Sequence, residues 1–516
     1  MSENSGFAPL AFRIYNRNMK FKSRLLLSIS LVISLLAGCG SVPGMRMEYE
    51  SEEFLSMNEE PQLYAGVPVV LPHIIVDRAG YESTSDKIVI FNASFLPETF
   101  DVVDVETGKV VYTGLIKPRK NTNSAQESLG HGSFNDVVTE GTYKICCSDL
   151  GESYPFEIRD DLTATLVPDV LSIFEDVSDK KVTVKRAGAD EETGDKIIQG
   201  GWVTGEEGTQ EVSVASEAMM TLLTAYELFP DSFNEYTTDA GDSRILDILY
   251  HESVWLLSLQ DETTGGVYKN VYSITDGSGT SYRLSSIDAA SSASFAAVMA
   301  KFSYVYKDVD QAYASLCLKA ADLAWKYLEK EKATEPSSPN ASVLASAAVE
   351  LYRASGLQTY YTYANALLPA NPDIVGNHWD LFSSVTYMLT RKAVSVAKCS
   401  ALMKDLMKQG ENISQISRDD DYLISEIDGD DSLDSLLWNM VVLSTSDYVL
   451  TNNEYATVIG NHEHYLRGRN PQSSDYLHDE NGEYKLKDLR SNAALIYMLA
   501  QILSGDYFVA PSDNDY

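Results

Sequence analysis

Between residues 72 and 160 the chain alternates short apolar runs with turn residues. "PHIIVDRAGY" (72–81), "DKIVIFNAS" (86–94), "TFDVVDVETGKVVYTG" (99–114), "EGTYKICC" (140–147) and "ESYPFEIRD" (152–160) are rich in Val, Ile, Tyr and Phe. Glu-Thr-Gly at 106–108 and Glu-Gly at 140–141 punctuate them. Strands this short, at this spacing, predict an antiparallel β-sandwich of about 90–100 residues.

From about residue 165 the apolar positions change period. Phe295, Val298, Met299, Phe302, Val305 and Tyr306 recur every three or four residues, as do Leu316, Ala320, Leu323, Ala324, Tyr327 and Leu328. Further helical stretches are "ASEAMMTLLTAYELF" (215–229), "ILDILYHESVWLLSLQ" (245–260), "ASVLASAAVELYRAS" (341–355), "SLDSLLWNMVVLSTSDYVL" (432–450) and "SNAALIYMLAQILS" (491–504). No β-like run of six residues is prominent among them. The pattern predicts an all-α domain of about 350 residues built from helices of ordinary length.

The N-terminus adds an address. Arg13, Arg17, Lys20, Lys22 and Arg24 precede the apolar run "LLLSISLVISLLAG" (25–38), which is too short for a comfortable membrane span and ends at Cys39. A small residue before a cysteine at the end of such a run resembles the bacterial lipoprotein lipobox. Cleavage and lipidation at Cys39 would anchor the protein outside the cytoplasmic membrane. "MKFKSR" from Met19 offers a second start of more usual length. The boundaries read as signal peptide 1–39, acidic tether 40–67, sandwich 68–162 and helical domain 163–508. The net charge of −35 repels nucleic acid and anionic membrane surfaces, and suits a neutral ligand better than an acidic polysaccharide. Cys146, Cys147, Cys317 and Cys399 carry neither a disulfide framework nor a zinc spacing, and read as small buried hydrophobes.

"LLTAYELFPDSF" (222–233), "VWLLSLQDETTGGVY" (254–268), the helices of 292–329, "AAVELYRASG" (347–356), "YLRGRNP" (465–471) and "SNAALIYMLA" (491–500) together resemble glycoside hydrolase family 9, the endoglucanases and related β-glucan hydrolases. "IIVDRAGY" and "EGTYKI…ESYPFEI" resemble the immunoglobulin-like module that precedes the catalytic domain in that family. The resemblance spans roughly residues 72–504. It implies an N-terminal all-β immunoglobulin-like sandwich followed by an all-α (α/α)6 barrel, with the substrate cleft across one end. No cofactor is implied.

Such enzymes invert the anomeric centre. A carboxylate draws a proton from water while a carboxylic acid protonates the leaving oxygen, the two lying about 6.5–9.5 Å apart. The family pattern puts its base in a loop after Gly-Gly-Trp that reads Asp-Ala-Gly-Asp. In "GGWVTGEEGTQ" (200–210) Gly200, Gly201 and Trp202 match, Thr204 replaces the first Asp, and Glu207 takes the base position beside Glu206. A Glu there moves the oxygens by about an ångström, enough to cost orders of magnitude in rate. The acid lies before the last helix in the family. Here Leu486 occupies that position in "NGEYKLKDLRSNAAL" (481–495), which leaves Glu483 and Asp488 as replacement acids. The loop after Pro471 is short and holds His478. Lys269 and Asn270 stand where the family has a sugar-lining His. Trp202 and Tyr268 are the residues that the resemblance assigns to the sugar.

Two readings follow. One is a non-catalytic relative that binds a neutral β-linked glucan or a partner. The other is an active inverting hydrolase with Glu207 as base and Glu483 or Asp488 as acid. His462 and His464 in "NHEHY" are at i and i+2, which do not face one way on a helix and predict no metal site. "RDDDY" (418–422) and "DGDDSLD" (428–434) lack the spacing of a calcium loop and read as solvated loops.

Overall fold

The computed structural model describes residues 72–119, 128–175, 181–186, 195–205, 208–276, 279–425, 433–450 and 455–505. Cys39, the tether of 40–67 and the Glu206–Glu207 pair lie outside the described residues.

The apolar runs of the first region fold as a two-sheet sandwich. One sheet has the order β1 (Ile74–Ile75), β3 (Ile88–Ala93), β7 (Ser128–Ser133), β6 (Lys117–Pro118). The other runs β2 (Gly80–Tyr81), β10 (Phe156–Ile158), β8 (Gly141–Cys147), β4 (Thr99–Asp104), β5 (Val110–Leu115), with β9 (Gly151–Glu152) paired to β8. The 99–114 run folds back on itself as the β4–β5 hairpin. Its turn is set by Asp104, which accepts from the Thr107 N–H and hydroxyl, and by Gly108 in the left-handed region at φ +68°. Val89, Phe91, Phe100, Val102, Ile145 and Phe156 alternate inward to form the core. The strand "SLGHGS" of β7 escapes the apolar pattern because glycines fill its inward positions. A Cβ at Gly132 would stand 2.3 Å from the Phe100 ring.

Twelve helices follow among the described residues. They are α1 (Leu162–Glu175), α2 (Val212–Leu228), α3 (Arg244–Ser258), α4 (Ala289–Tyr306), α5 (Gln311–Lys330), α6 (Ala341–Ser355), α7 (Gln358–Leu367), α8 (His378–Leu389), α9 (Val396–Asp419), α10 (Leu433–Leu450), α11 (Ala456–Leu466) and α12 (Leu489–Ser504). They form the (α/α)6 barrel, with the even-numbered helices as its inner ring. α12 packs on α2, α2 on α4, α4 on α6, α6 on α8 and α10 on α12. Aromatic contacts join α8 to α10: the Trp438 ring meets Phe382 edge-on at 5.6 Å and stacks on His378 at 3.5 Å.

Burial explains which helices are inner. Every residue from Ser291 to Ser303 of α4 is buried, as a helix inside a ring requires. On α5 a single stripe is buried, Ala314, Cys317, Ala320, Ala321, Ala324, Trp325 and Leu328, which is the signature of an outer helix with one wet face. Asp288, Asp310, Asn377, Ser395 and Asp488 cap α4, α5, α8, α9 and α12 through their side chains.

Two expectations are corrected. The second domain is not helical throughout. A sheet of β12 (Asp195–Gln199), β11 (Lys181–Arg186), β15 (Gly279–Leu284), β14 (Asn270–Asp276) and β13 (Gln210–Glu211) is built from the α1–α2 and α3–α4 connections. β11 does alternate, as Lys-Val-Thr-Val-Lys, but it is short and the other strands are polar at most positions, so the sheet does not stand out from the helical pattern around it. "RDDDY" is also not a solvated loop. Asp420 ends α9 and accepts from the Tyr422 and Ile424 N–H groups, and the Asp421 carbonyl meets the His131 imidazole of β7 at 2.7 Å.

"NHEHY" and "YLRGRNP" form the seam between sandwich and barrel. His464 and Arg467 both contact the Asp77 carboxylate, at 2.8 and 3.0 Å, and Arg467 also donates to the Gly80 carbonyl and pairs with Glu463. His462 turns away to accept from the Ser425 N–H at 2.8 Å, so the two histidines have separate partners.

Candidate functional site

The N-terminal ends of the inner helices open at one end of the barrel, and the connections that carry the predicted chemistry converge there. The Gly200-Gly201-Trp202 turn leads into α2. Gly200 and Gly201 have φ of +75° and +93°, and a Cβ on Gly201 would lie 2.4 Å from the Trp255 indole nitrogen. Both positions therefore need glycine. The Gln210 side chain donates to both glycine carbonyls, at 3.0 and 2.6 Å. Thr204 ties the loop at its base. Its N–H donates to the Thr209 carbonyl at 2.8 Å, and its hydroxyl accepts from the Glu211 N–H at 2.8 Å. Thr204 thus serves as a clasp.

Trp202 is only 3% exposed. Its indole N–H donates to the Phe174 carbonyl at 2.9 Å and its ring meets Phe174 edge-on. Its backbone N–H donates to Glu252 of α3 at 3.1 Å. Glu252 is itself buried, and burial pushes its carboxyl well above the ordinary carboxylate range. Tyr268 is also in the core, with its hydroxyl on Asp261 at 3.1 Å. Neither aromatic offers a face to a sugar in this structure.

The loop before α12 is equally committed. His478 bridges Asp475 at 3.4 Å and Asp169 of α1 at 3.3 Å. Tyr484 donates to Asn492 at 2.6 Å, and the Asn492 amide returns to the Leu486 and Asp488 carbonyls. Leu486 is half-buried and packs on the helical core. Glu483 is exposed at the tip of a turn, its N–H donating to Asp479 at 2.9 Å. Asp488 caps α12 through the Ser491 N–H at 2.8 Å.

The structure assembles a group of side chains that motif reasoning missed. Glu217 of α2 accepts from His378 at the start of α8, and its other oxygen is 3.4 Å from Arg490 of α12. Ser491 donates to Asp434 at the start of α10. A cavity of about 500 Å³ lies between the ends of α8 and α10 and the side of α9, lined by His378, Asp434, Trp438, Gln409, Asn412 and Asn439 among others. The signal for Glu217 was present as a lone charge in "ASEAMM", an otherwise apolar stretch of an inner helix. His378 and Asp434 give no such signal, since each is an ordinary polar residue at a helix start. Among the described residues no group of three or more His, Cys, Asp or Glu side chains is placed to hold a metal ion.

The family model for glycosyl hydrolase family 9 matches residues 173–498, and that for the cellulase N-terminal Ig-like domain matches residues 70–152. The chain is 24% identical over 479 residues to a cellodextrinase of Butyrivibrio fibrisolvens, covering 80% of this chain and 86% of that one. Its fold is similar to that of a Bacteroides ovatus family 9 protein, with a TM-score of 0.72 at 17% identity over 84% of this chain and 99% of that one. It is likewise similar to an endoglucanase from Alicyclobacillus acidocaldarius, with a TM-score of 0.72 at 20% identity over 83% and 99%.

Proposed function

The chain belongs to glycosyl hydrolase family 9, and from that premise we propose a lipid-anchored cell-surface protein that binds neutral β-linked glucan, with hydrolysis lost or strongly impaired. The observation that carries this reading is Leu486. It holds the position that the resemblance assigns to the proton donor, and it packs half-buried against the barrel core. Protonation of a poor leaving group contributes about 10²–10⁴-fold to such a reaction, and a leucine supplies none of it. The replacement acids do not restore it: Asp488 caps a helix and Glu483 sits on an exposed turn.

Binding has separate support. The cavity at the mouth is lined by amides and hydroxyls that suit sugar hydroxyl groups. The relative from Butyrivibrio fibrisolvens is named for action on cellodextrins, which are neutral like the ligand that the net charge of −35 favours.

Reducing-sugar release from barley β-glucan and xyloglucan tests the proposal. Wild type and Glu207→Gln should both stay at background while the protein is retarded in gels containing β-glucan. Release by wild type that Glu207→Gln abolishes would overturn the loss of catalysis. The anchor is tested by palmitate labelling, which Cys39→Ser should eliminate while it releases the protein from membranes.

A further inference from the structure

The chain carries 75 Asp and Glu against 40 Lys and Arg, yet the stretch "RKAVSVAKCSALMKDLMK" (391–408) holds five Lys or Arg and a single acid, Asp405. It forms the approach to the outer helix α9 and the first half of that helix. We propose that this face of α9 rests on an anionic lipid surface.

α9 turns Leu402, Leu406, Gly410 and Ile413 towards the barrel. Val396, Met403 and Met407, seven and four residues apart, line up beside that buried stripe. They remain 79%, 38% and 43% exposed. Arg391, Lys392, Lys404 and Lys408 are exposed as well, and none of them forms an ion pair among the described residues. The acids nearest in sequence, half-buried Asp405 and exposed Glu411, each stand three residues from Lys408 without pairing to it.

The needs of the helix do not explain these charges. Lys404 and Lys408 are four residues apart, a like-charge spacing that destabilises a helix. No acid occupies the first turn, where the helix dipole favours one. Lys398 alone has a structural task, its ammonium donating to the Asn365 and Leu368 carbonyls at 2.8 Å each.

The pattern selects a bilayer. A helix with exposed apolar side chains flanked by lysines sinks the former at the headgroup boundary while the ammonium groups reach the phosphates. An acidic polymer would use the cations and leave Val396, Met403 and Met407 in water. A stable protein partner needs about 1,200–2,000 Å² of interface, more than three side chains on one helix provide. The net charge of −35 opposes the contact at long range. At physiological salt, however, charges are screened over about 8 Å, so the cations within the contact decide. The contact needs no anchor at Cys39, although an anchor would raise the effective concentration of α9 at the bilayer.

Residues 71–516 form one compact unit, so the chain from residue 40 onward, without the apolar run and Cys39, is the protein to test. It is sedimented with phosphatidylcholine vesicles made with and without phosphatidylglycerol. Binding is expected only where phosphatidylglycerol is present, and it should weaken as salt is raised. Lys404→Gln combined with Lys408→Gln should weaken it about thirtyfold without lowering the melting temperature. Val396→Ser should weaken it about tenfold. No binding to phosphatidylglycerol vesicles, equal binding to phosphatidylcholine alone, or binding unmoved by the paired lysine substitutions would overturn the proposal. Binding that the lysine pair weakens but Val396→Ser does not would assign the patch to an acidic polymer, and would overturn it too. Palmitate labelling at Cys39 can succeed or fail without changing any of these results.

Discussion

The two ends of the barrel are built from the same helices but on different terms. At the C-terminal end, Glu227 of α2, Lys301 of α4, and Glu350 and Arg353 of α6 form one buried network, with Thr386 of α8 bonded to Glu350 at 2.6 Å. Lys301 lies 2.7 Å from Glu227, and Arg353 lies 2.6 Å from Glu350 and stacks over the Tyr304 ring. Two cations meet two carboxylates, and all four carboxylate oxygens are engaged. At the N-terminal end Glu217, His378, Arg490, Asp434 and Ser491 also join different helices, but with side chains that water reaches: His378 is 28% exposed and Arg490 44%. Closing one end with a network in which Lys301, Glu350 and Arg353 are at most 2% exposed, and only Glu227 is open to water at 22%, ties four inner helices together. The other end can then vary in its loops without loss of the fold.

The largest expected effect comes from breaking the closed end. Glu350→Ala leaves Arg353 and Lys301 to share Glu227 alone, with one buried positive charge in excess. Removing one partner of a buried pair costs about 3–5 kcal/mol, to be read as a lower urea midpoint at unchanged slope. Glu217→Ala, at the open end, removes a carboxylate whose partners can turn to water. It should cost about 1 kcal/mol or less. Equal losses from the two variants would erase the distinction between the ends.

Next in size is Gly201→Ala. The new Cβ would have to enter space held by the buried Trp255 indole, at a left-handed backbone position. Overpacking and backbone strain together should cost about 1–3 kcal/mol. The calorimetric melting temperature measures this. A loss above that of Glu217→Ala would show that the Gly-Gly-Trp turn is retained for packing, independent of any catalytic use.

Much of this was legible in the chain. The strand runs, the helical period and the Gly-Gly-Trp and Arg-Asn-Pro motifs lead to the sandwich and the barrel, because burial imposes those periods on sequence. The inserted sheet was not legible, because its strands are short and mostly polar, with clear alternation only in β11. Trp202 illustrates the limit at the site. An aromatic beside two glycines suggests a sugar platform, yet only the path of α1 reveals that Phe174 covers its ring and takes its N–H. The group around Glu217 was hidden for a different reason. Its members come from four helices, and no local pattern records a contact between residues 217, 378 and 490.

The smallest effect is also the sharpest test, because the two ends should respond to pH in opposite directions. Burial alone would push the Glu227 carboxyl up, but the charges of Lys301 and Arg353, and their hydrogen bonds, outweigh it and hold the carboxyl down at about 2. A depressed folded pKa stabilises above the unfolded value. That contribution is full above about pH 4.5 and is lost as pH falls towards about 2. His478, in the loop before α12, behaves conversely. Its hydrogen bond to Asp475, with the charges of Asp475 and Asp169, outweighs burial and raises the imidazole above its ordinary 6.5. A raised folded pKa stabilises fully below 6.5, and the contribution is lost as pH rises through the folded value. Hydrogen exchange across 475–488 should therefore speed up on the alkaline side of neutrality, after correction for the intrinsic rate. His478→Gln should remove that pH dependence and, because His478 also helps to hold the Asp475 carboxyl low, lose the part of the acid limb of the urea-midpoint profile that Asp475 contributes. Glu227→Gln should make the acid limb shallower by the share Glu227 contributes and leave exchange across 475–488 untouched. A Glu227→Gln variant that altered exchange across 475–488 as well would mean that the two ends of the barrel are coupled through the inner helices rather than built separately.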